Sequence, residues 1–302
     1  MNIFLAGGTG AIGVPLVREL VAGGHQVTAL TRSAANQEML RALGATPAIA
    51  DALDREALIA AVAAARPTHV IHELTALPKG GPRKASDLAP TNRLRTDGTR
   101  NLLDAAIQTG ARRFIVGSFG ILSARGSADA ASGDEAAAAV QSMESQVLDA
   151  TKRGAIEGVI LRYGMFYGLE TASTVTMIEM VRKRRLPIVR GDAGQLPFIH
   201  IEDAVSATIA ALDRAPAGAV YDIVDDRAVS MSEIVNTIAA YSGSPAPYHV
   251  PAWLPRLVAP YLARIMSVRM PLSNAKARTE LGWRPKYSTV REGLAQIFRK
   301  AA

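Results

Sequence analysis

The chain of 302 residues contains no cysteine, which removes disulfides, thiolate nucleophiles and cysteine-ligated metals together. The cytoplasm is therefore the expected compartment. No apolar run reaches the roughly eighteen residues that a membrane-spanning helix needs, so no membrane partner is expected. Aromatic residues make up only 5%, too little for a base-stacking platform. The net charge of +7 is scattered, and its one cluster, Arg182-Lys183-Arg184-Arg185, reads as a solvated helix end, so nucleic acid is not an expected partner either. Met1 to Ala6 lacks a preceding basic region and is followed by glycines instead of a cleavage site; it reads as a buried strand. The five histidines form no His-Glu-x-x-His string, and no metal site is expected. A Gly-x-Ser-x-Gly elbow is also missing, which leaves covalent hydrolysis unsupported.

What is present points to a packed α/β protein. Apolar residues account for 49% of the chain and charged residues for 20%, enough buried surface to offset the entropy of ordering it. Short apolar segments at Asn2–Ala6, Gln26–Thr31, Thr46–Ala50, His69–Leu74, Arg113–Gly117, Gly158–Arg162 and Ala219–Val224 read as strands. Helical periodicity falls between them, near Ile12–Ala22, Asn36–Leu43, Arg55–Ala65, Ala89–Thr109 and Ala136–Arg153. This alternation predicts a doubly wound parallel sheet with helices on both faces, the Rossmann architecture. Beyond residue 162 the order becomes irregular, with helices expected at Thr174–Arg184, Ile201–Asp213, Ser230–Tyr241 and Val290–Phe298. The expected division is a dinucleotide-binding domain over 1–165, to which 198–225 returns, and a smaller interleaved C-terminal substrate lobe over 166–197 and 226–302. The Ala-, Ser- and Gly-rich stretch Gly126–Ala139 reads as a mobile loop ahead of the helix proper.

Directly after the first strand stands Gly7-Gly8-Thr9-Gly10-Ala11-Ile12-Gly13, and a helix follows at once. The spacing of Gly7, Gly10 and Gly13 puts residues without a Cβ where the backbone reverses and a pyrophosphate approaches. The helix N-terminus, with Thr9, Ala11 and Ile12 in the same turn, offers free N–H groups to the anion. Alone such a string says little; at the start of a βαβ unit it marks a dinucleotide site. At the end of the second strand a carboxylate would meet the ribose hydroxyls, whereas a basic residue accommodates a 2′-phosphate. Thr31-Arg32-Ser33 stands there, so Arg32 and Ser33 favour NADP over NAD. Asp51, beside Ala52 after the third strand, is placed to meet the adenine amino group or to cap the next helix.

Further strings follow in order: Val70-Ile71-His72, Gly98-Thr99-Arg100-Asn101-Leu102-Leu103-Asp104-Ala105-Ala106, Arg113-Phe114-Ile115-Val116-Gly117-Ser118, Leu161-Arg162-Tyr163-Gly164-Met165-Phe166-Tyr167-Gly168, Phe198-Ile199-His200-Ile201-Glu202-Asp203-Ala204 and Leu281-Gly282-Trp283-Arg284-Pro285. With the glycine turn they give the chain a resemblance to the extended short-chain dehydrogenase/reductases, the NAD-dependent epimerase/dehydratase-like group. The resemblance implies that Leu74 and Thr75 line the cofactor, that Tyr163 to Met165 border its carboxamide, and that His200 packs under the cleft. It fails at the catalytic pattern. The family pairs a Ser or Thr with a Tyr and a Lys four residues later, but no tyrosine precedes Tyr163. Aligning the family's glutamate on Glu144 puts Val140 at the Lys position and Ala136 at the Tyr position, and Phe119 takes the Ser/Thr position, with Ser118 just before it. Gly194-Gln195-Leu196-Pro197-Phe198 is also apolar where sugar-nucleotide enzymes of the group carry a basic residue.

Something must still donate to a substrate oxygen that develops charge. Open parallel sheets bind ligands at the carboxyl ends of their strands, which here carry Glu73-Leu74-Thr75, Ser118 and Tyr163. Ser118 is the expected donor and Tyr167 the runner-up, although a buried tyrosine hydroxyl needs a partner in any case. Pro245–Tyr261, with Tyr248, Trp253 and Tyr261, could wall a small apolar ligand. The leading expectation is an NADP-dependent reductase of a carbonyl, imine or conjugated double bond in a small molecule, its substrate partner. Two alternatives stand beside it: a non-catalytic NADP-binding sensor, and a sugar-nucleotide epimerase or dehydratase. A homo-oligomer stays open.

Overall fold

The computed structural model of the chain describes residues 1–78, 81–120, 134–191, 194–258 and 269–300. Its main sheet holds β1 (Asn2–Ala6), β2 (Gln26–Thr31), β3 (Thr46–Ile49), β4 (His69–His72), β5 (Arg113–Phe119), β6 (Glu157–Tyr163) and, after three shorter strands, β10 (Val220–Ile223). All pairs are parallel and the order is β3-β2-β1-β4-β5-β6-β10. Strands of such a sheet are buried on both faces, which explains their unbroken apolar runs. In β1, Ile3 and Leu5 point into one core while Phe4 and Ala6 point into the other. Full burial of a Leu, Ile or Phe side chain contributes about 1.5–3 kcal/mol.

The first core lies under α1 (Gly13–Ala22) and α8 (Ile201–Arg214), through Leu16, Val17, Leu20, Val205 and Leu212. The second lies under α3 (Arg55–Ala65), α5 (Thr99–Gln108) and α6 (Glu135–Lys152), through Leu58, Val62, Leu102, Val140 and Val147. A third joins α7 (Ala172–Arg182), α9 (Met231–Tyr241) and the final helix, Val290–Lys300, around Leu196 and Phe198. Two small parallel sheets accompany it: β7 (Met165–Tyr167) with β9 (Phe198–His200), and β8 (Ile188–Val189) with β11 (His249–Val250). Gly164 N–H donates to Ile223 O at 3.0 Å and Asp225 N–H to Phe198 O at 2.7 Å, so the third core is laced to the edge of the main sheet.

The structure departs from expectation at several elements. The single helix expected over Ala89–Thr109 consists of α4 (Ala89–Arg93), a π-helical turn Leu94–Gly98, and α5. The strand expected to reach Leu74 stops at His72, because Leu74 N–H turns to the His72 ring instead of a neighbouring strand. Of the loop expected over Gly126–Ala139, residues 126–133 lie outside the described residues. Glu135 already begins α6, whose first turn Asp134 caps through Ala136 and Ala137 N–H. Among the described residues no helix is long and apolar enough to cross a membrane.

Candidate active site

The chain runs outward from β1 to β2 and β3, then restarts on the other side of β1 at β4. A crevice opens at such a reversal, outside the carboxyl ends of the strands. A cavity of about 110 Å³ lies there, lined by Gly7, Thr9, Gly10, Leu30, Thr31, Arg32, Ala50, Asp51, Ala52, Glu73, Leu74, Thr75 and Leu94. Of the cofactor residues expected from sequence, Ala11, Ile12, Gly13, Ser33, Ser118, Tyr163 and Met165 are missing from this wall. Ile12 and Gly13 are buried beneath it, Ala11 and Ser33 are exposed, Ser118 and Tyr163 sit farther along the sheet on β5 and β6, and Met165 lies on β7 of the small sheet with β9.

Gly7 has φ +104°, a backbone conformation that L side chains rarely adopt, and a Cβ there would lie 2.6 Å from Glu73 O. A Cβ on Gly13 would lie 2.0 Å from Gly7 O, so this last glycine clears the turn itself. A Cβ on Gly8 would lie 2.9 Å from Ala29 of β2 and 3.5 Å from Val17 of α1, so this glycine lets the turn lie close to the second strand. Helix α1 opens with neither a side-chain cap nor an acidic residue in its first turn. Val14 N–H already donates to Gly10 O at 3.1 Å and Pro15 carries no N–H, so the groups that suit an anion are the N–H groups of Ala11, Ile12 and Gly13, together with the positive end of the helix dipole.

Arg32 is exposed and pairs with no carboxylate among the described residues. Thr31 shapes the bend below it, its Oγ1 accepting from Ser33 N–H at 3.2 Å. Asp51 accepts from Leu53 N–H at 2.9 Å, while the cap of α3 is Asp54, which accepts from Ala57 N–H at 3.1 Å. Asp51 is thus not the helix cap. At the exit of β4 the His72 Nδ1 accepts from Leu74 N–H at 3.2 Å, which leaves Nε2–H to donate to Thr99 Oγ1 at 3.0 Å. Burial lowers His72 to about 4, and the neutral ring ties the end of β4 to the π turn, where Leu94 meets the cavity.

Farther along, Ser118 donates to Glu144 Oε1 at 2.6 Å, and Arg162 holds the same carboxylate through Nε at 2.9 Å and a terminal nitrogen at 2.6 Å. The Tyr167 hydroxyl is buried in the third core, 3.0 Å from Asp225 Oδ2. Burial pushes the Asp225 carboxyl up to about 8. Both expected donors are therefore engaged with carboxyl groups. Glu73, named among the strand-end residues but passed over as donor for Ser118 and Tyr167, lies across the strand ends. Its carboxyl packs where a Cβ of Gly117 would stand, with Oε1 3.0 Å from the Tyr163 hydroxyl, itself 2.7 Å from Thr208 Oγ1. The one signal available was a charged residue ending an apolar strand. In the expected apolar wall, Tyr248 and Trp253 are exposed, Tyr248 stacks on Arg184 at 3.9 Å, and Tyr261 lies outside the described residues. His200 packs against Tyr167 and Tyr287.

The model of the NAD dependent epimerase/dehydratase family matches residues 3–224. The chain belongs to that family. It is an NAD(P)-dependent oxidoreductase of the extended short-chain dehydrogenase/reductase type. A 3-diazoavenalumate denitrifying reductase from a Streptomyces species is 36% identical over 311 residues, covering 98% of this chain and all of the relative. A 4-hydroxy-2-methyl-3-oxo-4-farnesyl-3,4-dihydroquinoline-1-oxide ketoreductase of Stigmatella aurantiaca is 26% identical, covering 94% of this chain and 92% of that one. In fold, the chain is similar to the UDP-glucose 4-epimerase of Thermus thermophilus in complex with NAD, with a TM-score of 0.79 at 23% identity over the whole of both chains.

Proposed function

We propose that this family member is an NADP-dependent reductase of a small organic molecule, acting on a carbonyl, imine or conjugated double bond. The observation that carries the reading is Arg32, an exposed guanidinium with no carboxylate partner among the described residues, in the wall that also holds the glycine turn. The bare turn and the uncapped start of α1 fit a bridging diphosphate, and Arg32 with Ser33 fits a 2′-phosphate. Asp51 would meet the adenine. Leu74 and Thr75 would line the far half, with Ser118, Tyr163 and Met165 beyond it. When bound, the reduced nicotinamide supplies a hydride. The chain's part is to hold substrate in line, exclude water and deliver a proton. Leu196, in the stretch that carries a basic residue in sugar-nucleotide enzymes, is wholly buried, which speaks against a sugar diphosphate.

A second substrate class is favoured by the Streptomyces relative and by the missing Tyr-x-x-x-Lys pair. A hydride that replaces dinitrogen on an aryl diazonium carbon needs no proton on an oxygen, so the reaction tolerates the loss of that pair. The test measures NADPH and NADH affinity by equilibrium dialysis, then NADPH absorbance with aldehydes, ketones, enones and an aryl diazonium salt. Arg32→Asp is expected to weaken NADPH by about tenfold to a hundredfold, the worth of a charge-assisted hydrogen bond, and NADH little. Equal losses for both overturn the NADP assignment. Tight NADPH binding with no oxidation by any compound overturns the reductase and leaves a cofactor-binding sensor.

A further inference from the structure

Glu73 reaches sideways from the end of β4 over β5, and no ion pair among the described residues includes it. The groups that face its carboxyl are Gly117 on β5 and Tyr163 on β6, and Tyr163 in turn meets Thr208 on α8. Of these only Tyr163 is titratable, and burial and the neighbouring Glu73 raise it. Among the described residues no cation offsets a charge on Glu73.

The hydrogens can be assigned by elimination. Thr208 Oγ1 lies 2.8 Å from Ala204 O, a carbonyl that can only accept, so the Thr208 hydrogen goes there. The 2.7 Å contact between Tyr163 and Thr208 then needs the tyrosine hydrogen. The 3.0 Å contact between Tyr163 and Glu73 Oε1 is left to a hydrogen on the carboxyl. A protonated Glu73 completes every contact in the row, whereas an ionised one leaves one contact without a hydrogen.

From this geometry we infer that Glu73 is a neutral carboxylic acid beneath the nicotinamide half of the cleft and supplies the proton that accompanies hydride transfer to a carbonyl. The inference rests on the nucleotide reading given above: if adenosine lies over β2 and β3, the other half of the dinucleotide crosses the turn toward β4 to β6. Burial pushes the Glu73 carboxyl up to about 8, in agreement with the hydrogen assignment. In the step itself, hydride would add to the carbonyl carbon as the Glu73 carboxyl turns its hydrogen from Tyr163 to the oxygen, a rotation open to a neutral acid but closed to Ser118, whose hydrogen is held by the charged Glu144. The products would be an alcohol, the oxidised cofactor and a Glu73 carboxylate. Solvent restores the proton when the cofactor leaves. With a cationic cofactor ring nearby Glu73 would release its proton more readily, and with a neutral ring it would keep it.

The closing experiment needs no substrate. NADP⁺ and NADPH affinities are measured between about pH 6 and about pH 9, and proton release on NADP⁺ binding is followed with an indicator dye. NADP⁺ is expected to bind more tightly as pH rises, about tenfold for each unit by which the bound cation lowers the Glu73 carboxyl, with NADPH nearly flat. Glu73→Gln, which keeps the shape, is expected to abolish both the slope and the proton release. Infrared difference spectra of the unliganded protein should show a protonated-carboxyl band that Glu73→Gln removes. Thr208→Val, which frees the Tyr163 hydrogen to donate to Glu73, should make that band disappear at lower pH. A missing band, parallel NADP⁺ and NADPH profiles, or a band indifferent to Thr208→Val each overturns the assignment. Failure of both nucleotides to bind is a different result and overturns the nucleotide reading instead. With a panel ketone, Glu73→Gln should lower kcat at neutral pH with little change in KM for NADPH. Unchanged kcat overturns the donor role.

Discussion

A hydroxyl has one hydrogen to give, and Ser118 gives its hydrogen to Glu144. In that arrangement it can accept from a ligand but cannot protonate one, so its contribution is to position β5 against α6. Ser118→Ala is expected to lower stability by about 1.5–3 kcal/mol, the worth of a hydrogen bond to a charged group, in urea unfolding, and to leave NADPH affinity unchanged within about twofold. Glu144→Gln should be worse, by about 3 kcal/mol or more, since it leaves the Arg162 guanidinium without its carboxylate. Residue types at strand ends were readable from sequence: Arg32 and Asp51, read from the ends of the second and third strands, and Thr75, which the resemblance implied, all line the cavity. Which way a hydrogen points was not. The state of Glu73 depends on Tyr163, 90 positions away in the chain, and on a carbonyl within α8.

At the scale of elements, the turn that opens α1 carries the strictest geometric demand. A Gly13→Ala methyl would sit 2.0 Å from Gly7 O and 2.8 Å from the carbonyl carbons of Gly7 and Gly8, all backbone atoms that yield only if the turn opens. The expected outcome is a loss of about 1–3 kcal/mol together with nucleotide binding, read by thermal unfolding and equilibrium dialysis. A protein with full NADPH affinity after this change would sever the link between the turn and the diphosphate. The strands were legible because two-sided burial writes continuous apolar runs, whereas the cap of α3 was not: the sequence offers Asp51 for it, and Asp54 accepts from Ala57 N–H instead. The π turn at Leu94–Gly98 was not legible. Its sequence, Leu-Arg-Thr-Asp-Gly, breaks no helical rule, and tertiary ties show there: Thr99, held by His72 of β4, reaches back to Leu94 O at 3.5 Å.

For the whole molecule, two buried acids set the slope of stability against pH. Glu73 and Asp225 are each pushed to about 8 by burial, from ordinary values of 4.5 and 3.8. Between those limits the folded protein keeps protons that the unfolded chain has released, so stability falls as pH rises toward about 8 and levels off above it. His72, lowered from 6.5 to about 4, acts in the opposite sense but only below 6.5. Urea midpoints between about pH 6.5 and about pH 8 should therefore decline, and Asp225→Asn and Glu73→Gln should each flatten the decline. A wild-type midpoint that rises across this interval would contradict both assignments. Strand β10 has a consequence of another kind. During synthesis the ribosome releases β6 some sixty residues before the partner that covers its outer edge, a separation set by the Val220–Ile160 register. Throughout that interval the nascent sheet shows a bare, apolar rim able to recruit a stray strand, so fast emergence of the segment up to Ile223 protects the newborn chain from its own neighbours.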